Sequence, residues 1–524
     1  MLIWEDRLNA VMSECSKYKN WKEMAIQDAI RVYTRAGEID KMNEYIRNTE
    51  LFSKKGKYRD TQPIYYQELE ILRELICIKK FDTAKELFEK FPKSYVEKDI
   101  KRRVEKIHEY IAEKFNDWFI IALALNKEDL LARIPMFRVT CGCPDHMHAE
   151  HLEYDDPDIL PLGYEINEDN VWWRLASAGK LSEGVDLWIS RFFKDAKKYG
   201  FSKIDDYCIY SVRYLKTEDA VKPGSSEHQI LEYLPLTMHD DEVKNIFKKQ
   251  HEKIEMAMRV ARDNEEKMKD PNRNLIFFMD HYGALAPFLS LIRGYSRLND
   301  KKAIEFAELI AKEIKPREEY LKGKKVSRRV ETPFRNFIAP VFARFDNIDS
   351  GKELLHDGEK IANHFTTVQS KEFRRSWRNI KLYDVMVGYA RLGMADDVIR
   401  ILRKLHGLKG EERFEKFEKT PQKPTIFKMA PYQPYCNLQS NDLMVAAYLL
   451  YSGFKMKKVA LELLEDAYHI SFNNLKSWIK EEPDGDTGIV VTPLHHIFEI
   501  IDQFRKIEND WTHPVLPIYN KLDI

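Results

Sequence analysis

Apolar residues recur along this chain every three or four positions in most of its long stretches. That is the spacing of one face of an α-helix rather than the alternation of a strand. The clearest stretch is Leu382 to Leu405, LYDVMVGYARLGMADDVIRILRKL. A first helix ends near Arg391, a break falls at Leu392-Gly393-Met394, and a second helix carries Val398, Ile399, Leu402 and Leu405. Gly393 suits the left-handed residue that ends a helix, because it has no Cβ to clash there.

The same grammar recurs. Ala25, Ile26, Ala29, Ile30 and Tyr33 form one stripe, Gly37 breaks it, and Met42, Tyr45 and Ile46 begin the next. Pro63 marks a helix start, residues 65–78 form the helix, and a break at Lys79-Lys80 leads into Ala84, Leu87 and Phe88. Further helices are expected over 98–131, 171–193 with a turn at Gly179, 242–270, and 275–314 with a turn at Asn299. Others follow at 331–345, 351–368, 441–470 with a turn at Gly453, and 493–507. The stretches 134–164, 214–240, 316–329 and 408–439 lose the periodicity and gather Pro, Gly or Lys. The expected fold is all-α, an irregular α-solenoid of antiparallel helix pairs with loop insertions. It divides into an N-terminal repeat region (1–131), an insertion (132–165), a central repeat region (166–407), a linker (408–440) and a C-terminal helical region (441–524).

Segments such as GYARLGMADDVIRILRKL and YLLYSGFKMKKVALELL resemble tetratricopeptide and related helix–turn–helix repeats, in scattered pieces amounting to about half the chain. The turns at Gly37, Lys80, Gly179, Asn299, Gly393 and Gly453 stand 43, 99, 120, 94 and 60 residues apart, which departs from that family's regular period. The resemblance implies stacked helix pairs whose surface holds another macromolecule.

Composition narrows the function classes. The 524 residues are 44% hydrophobic and 32% charged, with 85 basic and 85 acidic side chains. Mean hydropathy is −0.52 and the pI about 7.2, so no global field favours DNA, a membrane or acidic substrates. The start carries Glu5, Asp6 and Glu14 without the apolar core of a secretory signal, and the most apolar run, Trp118 to Leu125, is too short to span a bilayer. The six cysteines are mostly scattered, as expected of reduced thiols in a cytoplasmic protein that does not associate with membranes.

Two clusters could carry chemistry. Cys141, Cys143, His146, His148 and His151 supply thiolates and imidazoles within eleven residues, the ligand types of a tetrahedral zinc site. Zinc is the one cofactor the sequence suggests, although C-x-C-x2-H-x-H is not a common structural spacing, and an unmetallated surface loop explains the same residues. Lys324, Lys325, Arg328 and Arg329, with Arg374, Arg375 and Arg378, are interleaved with Phe334, Phe337, Phe342 and Phe345. Cations for phosphates and rings for bases suit single-stranded nucleic acid, but the helical spacing of the rings equally suits core packing. His495-His496 and His281 have no partner at a fixed spacing, and no phosphate loop, G-x-S-x-G or H-E-x-x-H is present.

The expected function is therefore a non-enzymatic scaffold or regulatory adaptor that binds a protein partner, with Tyr389 and Arg391 beside a repeat turn as contacts. The alternatives are a nucleic-acid-associated repeat protein using residues 322–378, and a metal-dependent enzyme or zinc-stabilised protein using Cys141–His151.

Overall fold

The computed structural model describes residues 2–49, 51–52, 64–91, 96, 112–134, 171–196, 230–267, 289, 291–321, 334–364, 377–408, 438–481, 483 and 491–512. Among the described residues every regular element is a helix, and none is long and apolar enough to cross a membrane.

The N-terminal helices are α1 (Ile3–Cys15), α2 (Lys19–Ala36), α3 (Ile39–Arg47), α4 (Ile64–Cys77), α5 (Phe81–Phe88), α6 (Ala112–Ala124), α7 (Glu128–Leu131), α8 (Val171–Ser177) and α9 (Leu181–Ala196). After α10 (Ile230–Tyr233), with its 3-10 turn Leu234–Leu236, come α11 (Asp240–Lys267), a helical stretch at 291–297, and α12 (Lys302–Leu321). The last group is α13 (Phe334–Arg344), α14 (Ile348–Ala362), α15 (Trp377–Arg391), α16 (Ala395–His406), α17 (Leu438–Phe454), α18 (Lys457–Glu481) and α19 (Val491–Glu508).

One turn joins the helices again and again. Gly37, Lys79, Asn126, Gly179, Asn299, Asp346 and Gly393 all adopt positive φ. At each, the turn residue's N–H donates to the carbonyl three residues back, and the next N–H donates to the carbonyl five residues back. Gly393 to Ala390 (3.1 Å) and Met394 to Tyr389 (3.0 Å) show the pattern. These bonds satisfy carbonyls that the helix end would otherwise leave open. Two of the turns, at Asn126 and Asp346, were not expected from sequence and divide long steps between those that were. Asn126 follows Lys79 by 47 residues, and Asp346 lies 47 residues from both Asn299 and Gly393. The turn expected at Gly453 falls instead at Lys455, with φ 54°, and Gly453 remains inside α17. The N–H of Lys455 reaches Tyr451 and that of Met456 reaches Leu450, a wider closure than at the other turns.

Five residues beyond the turn a buried side chain meets the preceding helix: Met42, Ala84, Leu131, Val398 and Ala460. Gly184 and Gly351 occupy the same position. A Cβ on Gly351 would stand 2.7 Å from the Ala339 carbonyl oxygen, so α13 and α14 approach backbone to backbone there. Asn347 starts α14, its Oδ1 accepting the Ser350 N–H at 3.4 Å. That bond is long, so Asn347→Ala is expected to lower stability by only about 0.5 kcal/mol, at the low end for a lost N-cap. A denaturant midpoint moved by more than a small fraction would show that Asn347 does more than cap.

First and second helices differ in burial. Residues 439–452 of α17 are buried all round, whereas α16 buries one stripe, Val398, Ile401, Leu402 and Leu405. An all-apolar surface is covered on every side, and an amphipathic one faces solvent along its polar edge. The contacts follow: α13 packs on α14 and α15, α15 on α16 and α17, and α17 on α18 and α19. At the other end α2 packs on α4, α4 on α5 and α6, and α8 on both α4 and α6.

The last helix does not stop at α18. It lies on α1 and α2, so the two ends of the described chain meet. Leu2 precedes α1 without any side-chain cap of its own, and Glu508 supplies one from α19. Its two carboxylate oxygens accept the Ile3 and Trp4 N–H groups, each at 3.0 Å. An anion at a helix N-terminus is favoured by the exposed amides and the helix dipole. Arg7 pairs with Glu465 of α18, and the Tyr468 hydroxyl donates to the Arg7 carbonyl at 3.3 Å.

Candidate functional site

Where the chain ends meet, a buried ionic seam runs beside apolar side chains such as Trp4, Leu8, Ile497 and Ile501. Helices α2, α4, α8 and α19 bring together Asp28, Arg31, Arg35, Glu70, Arg73, Glu74, Arg174, His495, Glu499 and Asp502. Spacing within each helix makes this possible: Arg31 and Arg35, Glu70 and Glu74, and His495 and Glu499 are each four apart and share a face.

Arg35 is the hub. One terminal nitrogen reaches Asp502 at 3.0 Å and Glu499 at 3.4 Å, and the other reaches Glu74 at 3.1 Å. Arg31 contacts Glu499 (2.9 Å), Glu70 (3.1 Å) and Asp28 (3.4 Å). Glu74 also receives Arg174 from α8 at 3.3 Å, which extends the network to a fourth helix. Burial alone would raise the Glu74 carboxyl, but Arg35, Arg174 and Arg73 together hold it well below the usual carboxylate range. Asp502 is likewise held low against burial by Arg505, Arg35 and Lys506, and Asp28 by Arg31 and His495. The guanidinium of Arg31 is made harder to deprotonate, since Glu70, Glu499 and Asp28 outweigh the cost of burying it.

His495 forms the solvent edge of this seam, its side chain 44% exposed. Its ring nitrogens lie 2.9 and 3.3 Å from the Arg31 guanidinium, with Asp28 at 3.3 Å. Its neighbour His496 points the other way, to Ser440 of α17, with Nε2 and Oγ 2.8 Å apart. Burial pushes the His496 imidazole down to about 4, so it is neutral at pH 7. A serine against a neutral imidazole is the arrangement of a nucleophile and its base. Here both side chains are buried and the imidazole is too weak a base for the task near neutrality. The pair instead pins α17 to α19.

The residues singled out in the sequence fare differently. Cys141, Cys143, His146, His148 and His151 lie outside the described residues, as do Lys324, Lys325, Arg328, Arg329, Arg374 and Arg375. Among the described residues no cluster of metal-ligating side chains occurs. Arg378 sits half-buried at the start of α15, and Phe337 and Phe342 are buried in the core. Tyr389 and Arg391 are not exposed contacts: they are 4% and 5% exposed. The reason for Arg391 is specific. Pro340 lies inside α13 and has no N–H for the Asn336 carbonyl four residues back. Arg391 takes that role, donating to the Asn336 backbone oxygen and to its Oδ1, both at 2.9 Å, while its guanidinium rests 4.5 Å from the Phe337 ring centre. Arg391 thus repairs a broken helix ladder from the next unit.

The seam itself was not visible in the sequence. His495 meets Arg31 across 464 positions and Ser440 meets His496 across 56, so local spacing holds no trace of either. Comparisons with protein-family models, curated proteins and solved structures find no match for this chain.

Proposed function

We propose that this protein is a non-enzymatic α-helical repeat scaffold that binds a protein partner, its antiparallel helix pairs stacked as an irregular solenoid in the manner of tetratricopeptide-like repeats. The observation that carries the reading is the recurrence of one turn, with the same two hydrogen bonds, at seven described places from Gly37 to Gly393. Units repeated in this way and stacked on one another, as the pairs from α13 to α18 are, would give a surface built from similar helices, and such surfaces serve to hold other macromolecules. On this reading the seam joins the last helix to the first units and fixes the relative placement of the two ends. Tyr389 and Arg391 belong to the interior, so the partner meets other side chains.

The test is affinity purification of the tagged full chain from its native lysate, with and without nuclease, followed by chemical cross-linking. The scaffold reading expects a stoichiometric polypeptide that survives nuclease and cross-links to several helix–turn–helix units. Loss of all bound material on nuclease treatment would instead favour the nucleic-acid alternative.

A further inference from the structure

The turn that joins the helix pairs occurs once more, at the end of α19. Asp510 adopts φ 48°, its N–H donates to the Ile507 carbonyl at 3.4 Å, and the Trp511 N–H donates to the Lys506 carbonyl at 2.9 Å. This turn lies beside the preceding one: Lys455 donates to the Trp511 carbonyl at 2.7 Å, and Lys457 reaches Asp510 at 3.5 Å. Helix α19 therefore ends as a first helix does. It also has the neighbours of one, packing on α17 and α2 as α15 packs on α13 and α17.

The helix standing where its second helix belongs is α1. A second helix starts beside the C-terminal end of its first, and Glu508, the last residue of α19, caps the start of α1. A second helix also packs on the first helix of the next unit, as α14 does on α15, and α1 packs on α2 in the same way. On its flanks lie the second helices of the neighbouring units. Arg7 links α1 to Glu465 of α18, and Lys41 of α3 reaches Glu5 at 2.8 Å. Rungs of this kind join Glu359 of α14 to Arg400 and Lys404 of α16, at 2.8 and 3.0 Å. First helices thus run α17, α19, α2 across the chain ends, and second helices run α18, α1, α3. The buried side of α1 is one stripe, Trp4, Leu8, Val11 and Cys15, as expected of a second helix with a polar outer edge.

We propose that α1 is the second helix of the unit that α19 begins, so that one unit is assembled from both ends of the chain. The groove bordered by α18, α19 and α2 is then a helix-binding site. It takes an amphipathic helix by apolar residues four, three and four positions apart and by an N-terminus offered to the Glu508 carboxylate. Only the turn at 16–18 ties this helix to the rest of the chain. The proposal rests on the helix-pair reading of the fold and not on any protein partner, so failure to find a partner would leave it standing.

A protease recognition sequence inserted after Lys17, which is exposed in that turn, allows the folded full chain to be cut between α1 and α2. The 1–17 fragment should stay with the remainder through size-exclusion chromatography. A labelled synthetic peptide of residues 1–17, added in excess, should replace it over hours. A peptide carrying Leu8→Ala, which removes the centre of the buried stripe, should bind at least about thirtyfold more weakly. One carrying Asn9→Ala, on the exposed side, should match the unaltered peptide. Departure of the fragment on cutting, no replacement by the unaltered peptide, or equal binding of the Leu8→Ala and Asn9→Ala peptides would each overturn the proposal.

Discussion

Replacing Arg35 by methionine should destabilise the protein by about 3–5 kcal/mol, the range for breaking a buried ion pair on one side only. The side chain is 9% exposed and serves three carboxylates, Glu74, Glu499 and Asp502, of which Asp502 is 1% exposed. Methionine keeps most of the volume, so the loss is one of charge compensation and not of packing. Arg400→Met is the matching control. Arg400 bridges Glu359 (2.8 Å) and Asp397 (2.9 Å) with nearly half of its side chain in solvent, and its removal should cost no more than about 1 kcal/mol. The pH dependence has a definite sign. Carboxylates whose folded values are depressed contribute stability above their ordinary range and lose it as pH falls through the folded values. The gap between wild type and Arg35→Met should therefore be widest near neutrality and narrow in acid. Urea unfolding at neutral and acidic pH measures both quantities; equal losses for Arg35→Met and Arg400→Met would remove the special standing of the seam.

Arg391→Met should cost about 2–3 kcal/mol, since it leaves the Asn336 carbonyl buried without a donor. That cost arises from Pro340, and a double-mutant cycle separates it from lost packing. Pro340→Ala restores an N–H that can bond Asn336 within α13. In the Pro340→Ala background the same Arg391 substitution should cost clearly less, with a coupling on the order of 1 kcal/mol. Additive effects would mean that Arg391 acts through its contact with the Phe337 ring and not through the carbonyl.

How much of this could be read from the sequence depends on the range over which each feature acts. Helix type and most helix positions are local properties, and the stripes at Val398–Leu405 and Ala25–Tyr33 reported them. Turns were legible at Gly37, Gly179 and Gly393, where glycine marked them, and at Lys79-Lys80 and Asn299, where the apolar stripes broke and resumed. Asn126 and Asp346 hid because Asn and Asp enter the left-handed region while also serving as ordinary surface residues. Gly453 misled for the converse reason: a glycine beside a helix end need not be the turn residue, and here Lys455 takes the strained position. Arg391 looked like an exposed contact because it is charged and close to a turn. Its burial follows from Pro340, 51 residues earlier, which only the packing of α15 on α13 connects to it. The seam depends on helices from opposite ends of the chain, and nothing in the spacing of Arg31, Arg35, His495 or Glu499 announces the match.

The last helix docks on the first two, so the two ends of the described chain meet. A photoreactive amino acid at Leu2, which is exposed and adjoins the residues capped by Glu508, tests this in the intact protein. Illumination followed by peptide mapping should give an intramolecular cross-link within residues 505–512. Cross-links confined to other parts of the chain, with none within residues 491–512, would contradict the closure of the chain ends and the charged seam built on it.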